Sequence, residues 1–598
     1  METIAGTARM PPDAAIASID MAAKAGLSKK RLRQTVKAME DAQEEYKVRW
    51  QAIRDFQLPF IGEFIDRGDT ENRAKRRDTK IWNSAAWESC QVFAAGIMSG
   101  LTPQNRRWFR LSFSDRALSD DAEASRILDE RMEILNDVLD KSNFYNAIHT
   151  AYLELPFGQA PLGVFPDREH GVHFVPYTIG SYMLSASADG NVDVFCRKRK
   201  MTASQLVEKF GEEVLPEAIR REAKETSGMK ASHTVYWIVQ PNPKKAEDKP
   251  GRIYLPYVSV YWLENSRDDE WLYIGGFNEW PVPVGRYLIT GTDTYGKGPG
   301  WFAEGDAKEL QLLERDKMAL VELTVKPVIT ADEETANRGI SLTPGDITIQ
   351  AKGEQGGAKP LFQVAAHIEQ LEYTIEKVEN RIKRAYAADL FLMMDQQTKQ
   401  MTAREVVERM QEKMQQLGPV VQRMQFEFLS KIIERVYNIL DRAGVFPPVE
   451  DEETLAAIAD KEIRIEYISP LAQAQKMSGL VNIEQALEFV GQIAQFAPEV
   501  LDKVNYPEAV DRYIDMVGAP AAIKKSKEEF QAIQEQKAEE AAKAKELQQA
   551  AAVAQVAAPA AQAARNFSDA AKDGNPALAQ LLGVNTLGLP AGGESNNG

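Results

Sequence analysis

Trp87-Glu88-Ser89-Cys90-Gln91-Val92-Phe93-Ala94-Ala95-Gly96-Ile97-Met98-Ser99-Gly100-Leu101-Thr102-Pro103-Gln104-Asn105-Arg106-Arg107-Trp108-Phe109-Arg110-Leu111 is the stretch on which the fold turns. Its first part, begun at Ser84, reads as a helix of two characters. Ala85, Ala86, Ala94, Ala95, Gly96 and Ser99 are small enough to let another element's backbone come close. Val92, Phe93, Ile97 and Met98 supply the packing. Gly100 ends the helix and Leu101-Thr102-Pro103 is a stop signal. The basic and aromatic run Arg106 to Leu111 follows directly.

Upstream, the first thirty residues are Ala- and Ser-rich with Pro11 and Pro12, and read as a loose arm. Leu32 to Leu58 is helical in pattern and Pro59 breaks it. Arg67 to Lys80 is strongly basic, either a solvated loop or a contact to nucleic acid or an acidic neighbouring subunit. Downstream, Asp121 to Leu139 is helical in pattern, and Ala160 to Gly276 is strand-rich. Short strands are expected at Val172–Val175, Ser181–Ser185, Val192–Arg197, Thr234–Val239, Ile253–Leu263 and Trp271–Gly275. Thr202 and Gln205 have the spacing of a capping box ahead of one interrupting helix. This section is one α+β domain.

A glycine-rich turn, Tyr295 to Trp301, launches a helix from about Glu304 to Lys326, stopped by Pro327. Turns and short strands then run to Pro360. The clearest periodicity follows: Val364, Ile368, Leu371, Ile375, Val378, Ile382 and Ala385 predict a helix over Gln363–Leu390, roughly 42 Å long at 1.5 Å per residue. After Phe391–Met394 comes a polar loop, Asp395–Gln400. Thr402, with Glu405 at the capping-box position, starts a helix running to Arg442 with Gly418-Pro419 as its expected kink. Asn482–Phe496 and Pro507–Val517 read as helices. Lys524–Ala557 is nearly all Ala, Gln, Glu and Lys, a helix composition that gains stability from neighbours. Beyond Pro559 the composition is that of a soft tail.

The 598 residues suffice for several domains. A net charge of −16 argues against a protein that grips nucleic acid by neutralising phosphates, though not against one that lets DNA slide past. Two distant cysteines, Cys90 and Cys196, make no disulfide framework and suit a reducing cytosol. With five histidines and none at ligand spacing, no metal site is expected. No membrane span or secretory signal is expected either. Phosphate-loop, dinucleotide and zinc-protease motifs are missing, so no catalytic residue and no cofactor is assigned. Gly296-Lys297-Gly298-Pro299-Gly300 has the look of an anion cradle, but the proline removes an amide and a structural turn is the better reading. His173 and His367 read as packing or surface residues. A multidomain enzyme and a structural oligomer stay open on these grounds alone.

Four strings in order resemble the head-to-tail connector (portal) family of short-tailed bacteriophages, the podophages. They are Ala94–Pro103 with Trp108-Phe109-Arg110-Leu111; Tyr295–Gly300; Met401-Thr402-Ala403-Arg404-Glu405-Val406 with Leu417-Gly418-Pro419-Val420; and Ile468–Gln473. In that family a small-residue helix passes into a Leu-Thr-Pro turn and a Trp-Phe-x-Leu strand. The resemblance implies an α+β portal fold: 1–300 as the N-terminal part of an α+β wing, 301–326 and 363–390 as the two stem helices, 327–362 as a small β-containing clip. It further implies a channel loop at 391–401, the rest of the wing with its long kinked helix at 402–475, a mainly helical crown or barrel at 476–560, and a flexible tail at 561–598. The implied protein is not an enzyme. It is a homododecamer, with thirteen-membered rings on overexpression, made in the host cytoplasm and placed in the virion at the unique capsid vertex. Its partners would be other copies of itself, double-stranded DNA in transit, the terminase large subunit, a tail adaptor, and the major capsid and scaffolding proteins. Asp395, Gln396, Gln397, Thr398, Lys399 and Gln400 would face DNA. Ser341, Thr343, Asp346, Thr348, Lys352 and Glu354 would form the docking surface of the clip. Another structural oligomer or scaffold of the virion is the alternative.

Overall fold

The structure, a computed structural model, describes residues 26–63, 80–114, 122–225, 228, 232–246, 249, 251–268, 270–325, 329–330, 337, 359–360, 368–395, 417–448, 463–469, 486–493, 496, 503–510 and 532–545. The chain divides into two units, Met1–Ala519 and Pro520–Gly598. In the second, residues 532–545 form an almost wholly exposed helix.

The first unit begins with α1 (Lys29–Phe56), whose Ser28 side chain accepts from the Arg31 amide as an N-cap. The small-residue helix α2 (Ala85–Leu101) leads through the Leu-Thr-Pro turn into β1 (Phe109–Phe113). Helices α3 (Ala122–Lys141) and α4 (Phe144–Glu154) follow, then β2 (Gln159–Asp167), β3 (Gly171–Pro176), β4 (Tyr182–Ala186) and β5 (Val192–Thr202). Thr202 and Gln205 close the expected capping box on α5 (Ala203–Phe210). After α6 (Glu217–Lys224) come β6 (Ser232–Pro241), β7 (Tyr257–Leu263), β8 (Tyr273–Phe277) and β9 (Val284–Arg286).

Strands β4 to β8 form a five-stranded sheet in chain order, antiparallel throughout, and β2 pairs with both β3 and β9 in a second sheet. Period-two alternation sorts the large sheet's faces. Cys196, Ile238, Val260 and Trp262 meet Leu32, Val36 and Met39 of α1. On the other face, Phe195, Trp237 and Tyr261 join Phe165 of β2 in the main core. The mixed helix-and-strand class agrees with the sequence reading. The strand expected from Ile253 starts only at Tyr257, because Arg252–Tyr254 makes a 3-10 turn.

Helix α7 (Glu304–Val325) runs out from the body. Beyond it β10 (Ile329–Thr330) pairs antiparallel with β11 (Lys359–Pro360). The return is where the sequence reading needs correction. The single helix expected over Gln363–Leu390 is two: α8 (Ile368–Ala385) and α9 (Ala388–Asp395). Between them Ala387 takes a left-handed φ of 51°. The break accompanies burial on both sides of it: Tyr386 turns inward to bond in the core, and Phe391 packs on Gly96 of α2.

A second correction concerns the long helix. It is helical from residue 417 through Gly418 and Pro419, and its irregularity is a π-turn at Met424–Leu429, before α10 (Ser430–Arg442). Buried residues recur strictly by fours, at Val420/Val421, Met424/Gln425, Phe428/Leu429 and Ile432/Ile433. A 3.6-residue turn drifts away from such a stripe, and one wider turn restores it. Gly444, at φ 67°, ends α10. Last, β12 (Ile463–Tyr467) pairs antiparallel with β1, from Phe109–Tyr467 to Phe113–Ile463. Thus the Trp-Phe-x-Leu string and the strand just before Ile468-Ser469-Pro470 belong to one ladder. The start of the 402–442 helix lies outside the described residues, and residues 486–493 and 507–510 are the helical parts described within Asn482–Phe496 and Pro507–Val517.

Candidate functional site

Two of the four strings, Ala94–Pro103 and Tyr295–Gly300, come together where the outgoing α7 and the returning α8 and α9 join the body. Gly96 of α2 is a socket. A Cβ built there would lie 2.1–2.6 Å from ring atoms of Phe391, so only glycine admits the ring. Phe93, one turn earlier, packs edge-on against Phe391 and against Tyr386, each at 6.3 Å between centroids.

Gln57, fully buried just after α1, ties both helices to this point. Its amide nitrogen donates to the Gly300 carbonyl at 2.9 Å, at the approach to α7. Its oxygen accepts from the Tyr386 hydroxyl at 2.7 Å, at the end of α8. Burial pushes the Tyr386 phenol well up, so it stays a neutral donor. Asn83 repeats the design one layer out, its amide donating to Glu314 of α7 at 3.0 Å and Glu379 of α8 at 2.8 Å. Gln311 accepts from the Trp82 and Asn83 amides and donates to the Asn83 carbonyl. Between the helices, Arg381 pairs with Asp306 at 3.2 Å and Glu309 at 2.5 Å, and Lys317 with Glu372 at 3.7 Å, which makes α7 and α8 antiparallel. Burial pushes the Glu304 carboxyl up, but hydrogen bonds from Lys308 and Arg49 outweigh it and hold the group below its usual range.

The glycine-rich string proves to be a packing surface, as the proline argument indicated. Cβ atoms at Gly296 and Gly298 would lie 2.3 Å from the Gly158 carbonyl oxygen and 2.0 Å from that of Leu155. The turn therefore lies backbone to backbone on the 3-10 turn Leu155–Phe157. The indoles of Trp50 and Trp301 both donate to the Phe157 carbonyl, at 3.1 and 2.9 Å. Glu154, immediately before this turn, is buried. Its carboxylate accepts from the Ile179 amide at 3.0 Å, and burial pushes its pKa up to about 7 against the pull of Thr178 and Ile179.

This junction fixes the origin of the expected channel loop. Asp395 is the last residue of α9, not part of a loop, while Gln396, Gln397, Thr398, Lys399 and Gln400 lie outside the described residues. So do all six clip residues, Ser341, Thr343, Asp346, Thr348, Lys352 and Glu354; the β10–β11 pair closes the base of that excursion. Met401, Thr402 and Glu405 are likewise outside. Gln57 and Asn83 went unsingled by sequence reasoning, whereas Gly96 stood there among the small residues read as allowing close approach. Burial pushes the thiols of Cys90 and Cys196 up and both are free, which leaves them unreactive. Among the described residues no cluster of three or more His, Cys, Asp and Glu is placed to hold a metal ion, and no helix is long and apolar enough to cross a membrane.

Compared with known proteins, residues 29–524 match the sequence model of the family described as "Bacteriophage head to tail connecting protein". The portal protein of Salmonella phage epsilon15 is 32% identical over 523 residues, 86% of this chain and 92% of that one. The probable portal protein of Bordetella phage BPP-1 is 30% identical over 500 residues, 83% and 89% of the respective chains. Among solved structures, the neck of an empty gene transfer agent particle aligns at a TM-score of 0.32 and 10% identity over 71% of this chain and 90% of that one, a likeness too slight to match element to element.

Proposed function

Because this chain belongs to the bacteriophage head-to-tail connecting protein family, we propose that it closes into a homododecameric ring around a central DNA channel. As a portal protein it is a virion component that connects head and tail. The observation that carries the ring is the far half of the stem. Met318, Val321, Leu323 and Val325 on α7 and Tyr373 on α8 are exposed, Val325 at 71% and Tyr373 at 60%. Side chains of this kind, on antiparallel helices locked to one body, call for the same helices of neighbouring copies, and a repeated head-to-tail contact that closes makes a ring.

In the same reading the excursion between β10 and β11 is the clip, docking the terminase large subunit during packaging and the tail adaptor afterwards. The segment after Asp395 lines the channel. Major capsid and scaffolding proteins contact the ring's rim, and the ring is assembled in the host cytoplasm. The test is native mass measurement with direct imaging. The parent is expected as closed rings of twelve subunits, some of thirteen, with a through-channel. Met318→Asp with Val321→Asp should leave a folded monomer. A parent that stays monomeric or dimeric under assembly conditions overturns the ring.

A further inference from the structure

Lys29, Arg286 and Arg435, buried cations among the described residues, each have acidic or carbonyl partners. Arg435 donates to the Val164 carbonyl at 2.8 Å and pairs with Glu279 at 3.1 Å. Arg286 pairs with Glu427 at 2.8 Å and donates to the Thr294 and Gly190 carbonyls. Lys29 donates to Ser266 and to the carbonyls of Arg267 and Glu270. Lys198, pointing to the α1 side of β5, pairs with Glu40 at 3.3 Å.

Arg197 and Arg199 flank Lys198 and project from the opposite face of the same strand, where Lys209 of α5 joins them. None of the three side chains makes a hydrogen bond or ion pair among the described residues, and the Arg197 Nε is buried without an acceptor. Their company is aromatic: the Arg197 guanidinium lies 4.8 Å from the centre of the Tyr177 ring, and the Lys209 ammonium 4.8 Å from that of Tyr261. The other charged or titratable groups acting on the cluster are Glu63, which favours the charge on Arg199, and Tyr273, which acts on Tyr261. Burial first, and then the charges of Arg197 and Arg199, push Lys209 down to about 7. Cation–π contacts contribute about 0.5–2 kcal/mol each, whereas a buried donor left unmade costs roughly 1–3 kcal/mol. The rings therefore do not offset three crowded like charges.

We infer that Arg197, Arg199 and Lys209 form a binding site for a tetrahedral, multiply charged oxyanion of the phosphate class, either free or carried on a nucleic-acid backbone. Three cations outnumber the single charge of a carboxylate. Two guanidinium forks and a point-like ammonium suit an anion that accepts from several directions. Arg199 is exposed, so the cluster has a cation in contact with solvent.

The test uses the assembled protein and two probes, sulfate and inorganic phosphate, each against chloride at matched ionic strength. Either is expected to raise the melting temperature of the parent by roughly 2–4 °C. Arg197→Gln with Arg199→Gln should abolish the rise. Lys209→Met should melt higher than the parent without anion and gain nothing from it, an outcome that a merely structural lysine would not give. Calorimetry in buffers of different ionisation heat should show proton uptake when sulfate binds above pH 7, since the bound anion restores the charge of Lys209. Competition by a short DNA duplex, in parent but not in the double variant, assigns the site to backbone phosphate. Binding without competition assigns it to a free oxyanion. Equal anion effects in parent and both variants, or none beyond chloride, overturn the site.

Discussion

Gly96 and Phe391 are a matched pair, and the match has a measurable sign. In a helix, Gly→Ala ordinarily gains about 1 kcal/mol. Here the new methyl would overlap the Phe391 ring at 2.1 Å, deep inside contact distance. Gly96→Ala is therefore expected to destabilise by about 1–3 kcal/mol in denaturant melts, with Phe391→Leu in the same background recovering part of the loss. Glu154 gives the pH prediction. Its folded pKa of about 7 lies above its ordinary 4.5, so the folded protein binds the proton more tightly than the unfolded chain. The contribution of Glu154 to stability is thus fully present below about 4.5, falls as pH rises to about 7, and is gone beyond. The loss is on the order of 3 kcal/mol, and Glu154→Gln should flatten that part of the melting-temperature profile and melt higher than the parent at pH 8. Neither residue's partner was legible in the sequence. Small residues at 94–96 announced that something comes close, but Phe391 lies almost 300 positions away in a string that read as loop flank. Glu154 sits among apolar residues like any helix-end carboxylate, and only the fold shows its burial.

The elements were legible wherever a period persisted and were lost where tertiary contacts interrupt one. The capping box at Thr202, the small-residue helix, the outgoing α7 and the alternating strands of the large sheet all follow from local pattern. The break at Ala387 does not, because alanine is the best helix former and the apolar spacing runs through it. Its left-handed φ of 51° costs a residue with a Cβ about 1–2 kcal/mol. Ala387→Gly is expected to stabilise by up to about 1 kcal/mol, and Ala387→Val to destabilise by more than 1 kcal/mol, read as shifts in the unfolding midpoint. A loss with glycine would mean that the break is not held by the backbone. The π-turn, by contrast, had a readable signal. Apolar residues at 420, 421, 424, 428, 429, 432 and 433 keep a spacing of four that an ordinary helix does not hold, and Gly418-Pro419 drew attention from it.

At the scale of the molecule, two of the four family strings, Ala94–Pro103 and Tyr295–Gly300, meet at one junction, while the segments expected to act on partners lie outside the described residues. If the excursion closed by β10 and β11 is the docking clip, deleting Ala351–Ala358 should leave ring formation intact and weaken capture of the tail adaptor in a pull-down; unchanged capture counts against the assignment. If the segment after Asp395 lines the channel, Lys399→Glu should assemble normally and lower the DNA content per particle, because it replaces a ring of phosphate-attracting charges by a repelling one. Equal genome content and ejection in mutant and parent would remove the direct electrostatic role. Charge and composition could not have located either surface, since −16 spread over 598 residues describes many acidic proteins. One pairing also governs the order of events during synthesis. Phe113 in β1 waits for Ile463 in β12, 350 positions later in the chain. At about 5–20 residues per second, translation takes roughly 18–70 s to cover that interval. Throughout it the nascent β1 offers Phe109, Leu111 and Phe113 beside a hydrogen-bonding edge that β12 has yet to fill, an edge open to pairing with other chains.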